Sequence, residues 1–274
     1  MILIKMKINK KMKIIILLII SSTSIFGQVK ISKEFASYNI KGSTTIYDLK
    51  NDRYYYSDSL DANKRTLPAS TFKIINSCIA LEEGAIKDEN EVFKWDGEIK
   101  YFNGKVIDTW NTDTNLKSAF KNSTIWFYEE LAKKIGKNRY KNYLKKCKYG
   151  NLDLSEKGVD FWNYGNLGIS PKNQIKLLKS LYKEELPFSK STYTIVKKIM
   201  ISHEMDNYII RSKTGWANTS KQSIGWWIGY VEKKNNTYFF ATRLIKDVKE
   251  HNPKFSSLRK EITKSMLKHI KAIE

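Results

Sequence analysis

β-Branched and aromatic residues crowd Thr44 to Leu49 and Tyr54 to Tyr56 on either side of the polar run Lys50-Asn51-Asp52-Arg53, which predicts two strands joined by a turn. A second hairpin lies near the other end of the chain, with Ile224 to Glu232 and Thr237 to Leu244 flanking Lys233-Lys234-Asn235-Asn236. Between them the apolar positions take the spacing of helices that bury one face, over Lys73 to Glu83, Thr124 to Ile135 and Asn173 to Tyr182. Leu258, Ile262, Met266, Ile270 and Ile273 follow at spacings of four and three, the pattern of an amphipathic helix docked on a sheet. Strands at both ends with helices between them specify an α+β fold: a central antiparallel sheet, closed by both termini and flanked by helices, with an inserted helical subdomain. No internal repeat or long linker divides residues 28–274, which are read as a single domain.

The first 27 residues follow a different rule. Lys5, Lys7, Lys10, Lys11 and Lys13 precede the apolar run Ile14 to Ile20, which gives way to Ser21, Ser22, Thr23, Ser24, Ile25, Phe26 and Gly27. A basic start, a short apolar stretch and a small-residue exit form the pattern of a secretory signal peptide over residues 1–27, with the cut placed after Gly27. The apolar run is shorter than the roughly 20 residues that span a bilayer. No cysteine stands near the exit to carry a lipid, so the expectation is a periplasmic or secreted bacterial protein with no stable membrane partner after cleavage.

Composition narrows the chemistry. The 274 residues include 49 Lys and Arg against 28 Asp and Glu, a formal charge of +21, and losing the five signal-peptide lysines still leaves +16. These lysines are dispersed rather than gathered into a stripe, so the charge is read as a solvated surface and no nucleic-acid partner is expected. Hydrophobic residues at 41% are enough to build a core, which excludes a disordered chain. Cys78 and Cys147 are too few for a disulfide scaffold; they are free to pair in an oxidising compartment, although Cys78 falls on a predicted core helix and is read as a small apolar side chain. His203, His251 and His269 lack metal-ligand spacing, so no metal is expected and no histidine is placed to act as a general base.

Another residue must then activate any nucleophile. In Ser70-Thr71-Phe72-Lys73 the serine and the lysine lie three apart, on one face of a helix, so that the amine can take the serine's proton. The same spacing occurs at Ser118/Lys121, Ser180/Lys183, Ser257/Lys260 and Ser265/Lys268, but only Ser70 follows Pro68-Ala69, a fitting start for a helix whose first N–H groups stabilise an oxyanion. Lys213-Thr214-Gly215, just before the second hairpin, presents a cation and a hydroxyl to a substrate carboxylate from an edge strand, with Gly215 admitting the ligand. Ser123-Thr124-Ile125 sits where a helix is expected to start, and Ser123 by itself reads as an N-cap. The order Ser-x-x-Lys, Ser-x-aliphatic, Lys-Thr-Gly is related to the trio of class A β-lactamases and penicillin-binding proteins, whose middle motif ends in Asn where this chain has Ile125.

Over nearly the whole chain after residue 27, these motifs resemble the class D β-lactamases, the oxacillinase group. That family's Ser-Thr-Phe-Lys, Ser-x-Val, Tyr-Gly-Asn, Phe-Trp and Lys-Thr-Gly correspond to Ser70 to Lys73, Ser123 to Ile125, Tyr149-Gly150-Asn151, Phe161-Trp162 and Lys213 to Gly215. Gly225-Trp226-Trp227-Ile228-Gly229 and Leu258-Arg259-Lys260 extend the match. A second Tyr-Gly-Asn at Tyr164 follows Phe-Trp rather than preceding it, and is read as incidental. Two departures stand out: Ile125 in place of Val, and Asn163-Tyr164-Gly165-Asn166 where the family often has Leu-Glu-Gly.

The resemblance implies a β-lactamase/transpeptidase-like fold and hydrolysis of β-lactam antibiotics, giving resistance, through an acyl-enzyme on Ser70. It implies that Lys73 takes up carbon dioxide, from CO2 or bicarbonate, as an N-carboxylysine general base, with no other cofactor. Trp162 would hydrogen-bond that carbamate and Ile125 would wall it from water. Ser123 would relay a proton, Ser70 and Trp216 N–H groups would form the oxyanion hole, and Lys213, Thr214, Gly215 and Arg259 would bind the substrate. The alternative is a β-lactam sensor or penicillin-binding domain that acylates without turnover. Small-molecule β-lactams are the expected partners; the oligomeric state and the range of substrates are open.

Overall fold

A computed structural model describes residues 34–274; the expected signal peptide lies outside the described residues. The chain runs β1 (Lys41–Asp48), β2 (Arg53–Tyr56), α1 (Lys73–Glu82), β3 (Val92–Phe93), β4 (Tyr101–Phe102), β5 (Lys105–Val106), β6 (Thr114–Asn115), α2 (Leu116–Asn122), α3 (Ile125–Ile135), α4 (Lys137–Lys146), α5 (Pro171–Tyr182), α6 (Lys190–Ile199), β7 (Ile201–Met205), β8 (Tyr208–Asn218), β9 (Gln222–Lys233), β10 (Asn236–Asp247) and α7 (Phe255–His269). Six strands form one antiparallel sheet in the order β2-β1-β10-β9-β8-β7, so the first and last strands pair within it, and both ends of the chain join one sheet as the pattern predicted. Two small strand pairs in the middle of the chain, β3–β6 and β4–β5, went unpredicted because two residues carry no period.

β9 is buried on both faces because it divides two cores. Trp226, Ile228 and Tyr230 point into a cluster with α1, α3 and α5, while the alternating Trp227 and Val231 pack with Leu258, Ile262 and Met266 of α7. The predicted stripe of the last helix thus covers one face of the sheet, and the inserted helices cover the other. α5 starts two residues earlier than predicted: Ser170 Oγ accepts the Asn173 N–H at 3.2 Å, and Pro171 occupies the first helical position. α4 was not predicted, since in KNRYKNYLKK only Tyr140 and Leu144 are buried. Cys78 and Cys147 are both free thiols in the core, where burial raises each pKa, as expected of Cys78 read as a small apolar side chain.

The sheet also anchors the segment leading to the predicted nucleophile. Arg243 on β10, with no exposed surface, donates to Asp61 Oδ1 at 2.5 Å and to Lys64 O at 2.7 Å. On β9, Trp226 Nε1 donates to Leu67 O at 2.9 Å, and the Arg243 guanidinium lies 5.7 Å from the Trp226 ring. Thr66 and Ile169 exchange a bridge on the far side of the segment.

Candidate active site

Ser70 does not sit on an α-helix. It lies in a 3-10 turn, Ala69–Phe72, and α1 begins at Lys73. Ala69 takes a left-handed backbone (φ 51), a conformation that costs a non-glycine residue about 1 kcal/mol or more and needs outside support. The Ala69 N–H donates to Trp162 O at 2.9 Å, and Thr71 Oγ1 donates to Pro68 O at 2.6 Å while accepting from Gln174 Nε2 at 2.8 Å. Phe72 stacks on Trp162, with ring centroids 5.3 Å apart and planes 11° apart, and meets Tyr149 and Phe161 edge-on.

Gly215 closes the other side, and for a different reason from the one its motif suggested. A Cβ there would lie 3.1 Å from Pro68 O, 3.1 Å from Thr71 Cγ2 and 3.2 Å from Ala69 Cβ. The glycine lets β8 press against the serine's own turn; ligand access is not what its packing requires. Ser70 opens from this turn into a cleft of about 300 Å³ that Ser123, Ile125, Thr214, Gly215, Trp216 and Arg259 also line.

Lys73 separates from the other Ser-x-x-Lys lysines by burial. Lys121, Lys183, Lys260 and Lys268 are exposed, whereas Lys73 has no exposed surface and its Nζ has no hydrogen-bond partner. Desolvation lowers its pKa to about 8, against the opposing pull of Asp160 and Glu129. Nζ lies 4.6 Å from the Tyr128 ring centroid and 5.8 Å from that of Trp162. Trp162 Nε1 is a second buried donor without a partner.

Ser123 is not an N-cap. It takes a left-handed conformation (φ 58) that ends α2, and Thr124 is the residue that precedes the first turn of α3. This break directs Ser123 Oγ to accept from Lys213 Nζ at 2.5 Å. Lys213 is buried, and desolvation together with the charges of Lys73, Arg259 and Lys260 pushes its pKa well below the ordinary lysine range. β7 pairs with β8 only as far as Arg211, so the Lys213–Gly215 stretch lies on an edge that, among the described residues, only β9 pairs. Arg259 reaches the same stretch from α7. It is 7% exposed and donates to Gly215 O at 2.6 Å and to Ser256 Oγ at 3.2 Å, and burial lowers its pKa to about 10.

A buried, unpartnered amine three residues beyond a serine, with a Lys-Thr-Gly strand facing both, is the arrangement that known proteins can be matched against. Residues 28–268 match the family model for the penicillin-binding protein transpeptidase domain. Beta-lactamase OXA-20 of Pseudomonas aeruginosa is 43% identical over 215 residues, 77% of each chain, and Beta-lactamase OXA-48 of Klebsiella pneumoniae is 37% identical over 260 residues, 91% of this chain and 95% of that one. The crystal structure of a class D β-lactamase from Sebaldella termitidis superposes with a TM-score of 0.85 at 44% identity, covering 89% of this chain and 97% of the other. The chain belongs to the class D β-lactamases. They are serine hydrolases, and the fold is the transpeptidase/β-lactamase fold that the motifs implied.

In this class D β-lactamase the two Tyr-Gly-Asn runs have distinct surroundings. Tyr149 is buried against Phe72, and Asn151 Oδ1 accepts the Gly168 N–H at 2.9 Å, whereas Tyr164 is 60% exposed. The divergent loop after Trp162 is tied down: Asn163 Nδ2 donates to both carboxylate oxygens of Asp160 at 3.0 Å. Burial raises the Asp160 pKa to about 7, against the opposing effects of Asn163 and Lys73. The Tyr128 ring thus packs against the lysine of this enzyme and the charges of Asp160 and Glu129 act on it, and none of the three was singled out from the sequence. Tyr128 follows Ile125 by three residues on α3, a spacing that would have found it.

Proposed function

We propose that this enzyme hydrolyses β-lactam antibiotics, conferring resistance, through an acyl-enzyme on Ser70 Oγ, and that Lys73 works as an N-carboxylysine. The observation that carries this reading is the fully buried Lys73 amine without a hydrogen-bond partner beside an equally unpartnered Trp162 Nε1. An ordinary lysine is about 0.1% neutral near pH 7.4, whereas a pKa of about 8 leaves roughly a fifth of the amine free to attack carbon dioxide. An orphan amine and an orphan indole N–H suit a small carboxylate, so Lys73 and Trp162 would hold the carbamate, with Ile125 at the cleft wall. When bound, that group supplies the general base that a lysine ammonium cannot be.

The remaining steps belong to the chain's own side chains. Ser70 Oγ, relieved of its proton by the general base, bonds to the lactam carbonyl carbon, and the N–H groups of Ser70 and Trp216 are proposed to hold the resulting oxyanion until its collapse breaks the C–N bond. Because Lys213 Nζ donates to Ser123 Oγ, the serine's own proton is left to pass to the departing nitrogen, and Lys213 can replace it. Thr214 and Arg259 line the cleft where the ring carboxylate is proposed to bind, and Lys213 lies behind that lining, bonded to Ser123 Oγ. Water then takes the acyl group from Ser70, restoring the hydroxyl. Export by residues 1–27 to the periplasm or medium, where these drugs are met, belongs to the same proposal.

Intact-protein mass spectrometry and product assay with benzylpenicillin test it. The expected result is steady product from the wild type and neither product nor adduct from Ser70→Ala. An undiminished adduct on Ser70→Ala overturns the nucleophile, and a wild-type adduct that persists without product replaces the hydrolase with a sensor or penicillin-binding role.

A further inference from the structure

Where β8 ends, a second cleft of about 610 Å³ continues from the first, and Trp216 and Ser256 line both. Its rim is built: Asn218 Nδ2 donates to Asn103 Oδ1 at 2.9 Å across to the β4–β5 turn, and Asn218 Oδ1 accepts from Trp216 Nε1 at 3.0 Å and Ser223 Oγ at 2.7 Å. Three lysines line it, Lys105 on β5, Lys246 at the end of β10 and Lys249 just beyond, against one acid, Glu250. Lys246 Nζ donates to the backbone oxygens of Asp247 and Glu250, and none of the three ammonium groups is paired with a carboxylate among the described residues.

We propose that this outer cleft receives a second negative charge, carried on the acyl side chain of the substrate, so that the enzyme favours penicillins with a carboxylate on that side chain over their neutral counterparts. The inference rests on the proposed β-lactam hydrolysis. In a penicillin the ring carboxylate and the acyl side chain project from opposite sides of the lactam carbonyl. With the carboxylate at Lys213 and Thr214 and the carbonyl at Ser70, beside Gly215, the side chain is directed along β8 toward Trp216 and Asn218. The outer cleft opens at that end, and its cations attract a carboxylate on the side chain through partly aqueous space, an effect of about 3–10-fold in affinity at low salt.

The test compares kcat/KM for benzylpenicillin and for its α-carboxy derivative at low and high ionic strength. Three proteins are used: the wild type, the double variant Lys105→Gln/Lys249→Gln, and the control Lys141→Gln/Lys145→Gln, which removes the same charge from exposed positions of α4. At low salt the outer-cleft variant is expected to lose about 3–10-fold of its relative preference for the dianionic penicillin, while the control keeps it and benzylpenicillin turnover is unchanged in both. High salt should bring the wild type down to the level of the outer-cleft variant. Equal losses in the two double variants would assign the effect to overall charge and overturn the subsite, as would a ratio that neither substitution nor salt moves. Normal benzylpenicillin turnover with an unmoved ratio defeats the subsite alone; turnover of neither penicillin by the wild type defeats the hydrolase reading beneath it.

Discussion

Replacing Gly215 with alanine separates two accounts of the Lys-Thr-Gly motif. An added methyl would stand 3.1 Å from Pro68 O and Thr71 Cγ2 and 3.2 Å from Ala69 Cβ, where unstrained carbon contacts lie at about 3.5–4.0 Å. Relief requires a shift of a few tenths of an ångström. None of the three neighbours is free to give it, since Ala69 N–H is bonded to Trp162 O, Thr71 Oγ1 lies between Pro68 O and Gln174 Nε2, and Arg259 holds Gly215 O. Overpacking of this kind costs about 1–3 kcal/mol. At roughly 2–4 °C per kcal/mol for a domain of this size, the ligand-free Tm should fall by about 2–12 °C. The strained turn carries Ser70, so stopped-flow acylation should slow about tenfold or more. A Tm within 1 °C of the wild type, with KM raised and the acylation rate constant intact, would refute this reasoning and return Gly215 to the ligand-admitting role its motif suggested.

Asp61→Ala leaves the fully buried Arg243 guanidinium without its carboxylate, a loss of about 3–5 kcal/mol that urea unfolding should register; a loss below about 1 kcal/mol would remove the pair from the supports of the serine's approach segment. Burial lowers the Lys73 pKa, so the free amine needed for carboxylation is gained above about pH 8 and lost below it. With dissolved carbon dioxide held constant, the carbon-13 carbamate signal should therefore decline from pH 8 to pH 6, and a signal flat across that range would contradict the carboxylysine proposal.

Local order carried a long way. The two hairpins, the central helix from Lys73 and the stripe of Leu258, Ile262 and Met266 were all legible, because strand and helix periods are written between near neighbours. Their order also implied the α+β architecture and the pairing of both ends of the chain in one sheet. The motifs named the residues that the fold gathers round Ser70, because each motif keeps its spacing within one turn or strand.

What the sequence could not decide depends on segments far apart in the chain. Five Ser-x-x-Lys pairs share one spacing, and although Pro68-Ala69 sets Ser70 apart, the sequence does not show that only one of the five lysines loses its solvent, which the ring of Trp162, some ninety residues away, helps to bring about. Ser123 reads as a cap until its left-handed turn aims it at Lys213, 90 residues on. The resemblance put Arg259 at the substrate, but its anchorage on Gly215 O shows only in the fold, and Asp61 finds Arg243 across 182 residues. The sequence alone determined which side chains were available and on which elements they ride. The tertiary structure alone decided which of them lost their water, and a titratable group's pKa depends on that loss rather than on its neighbours in sequence.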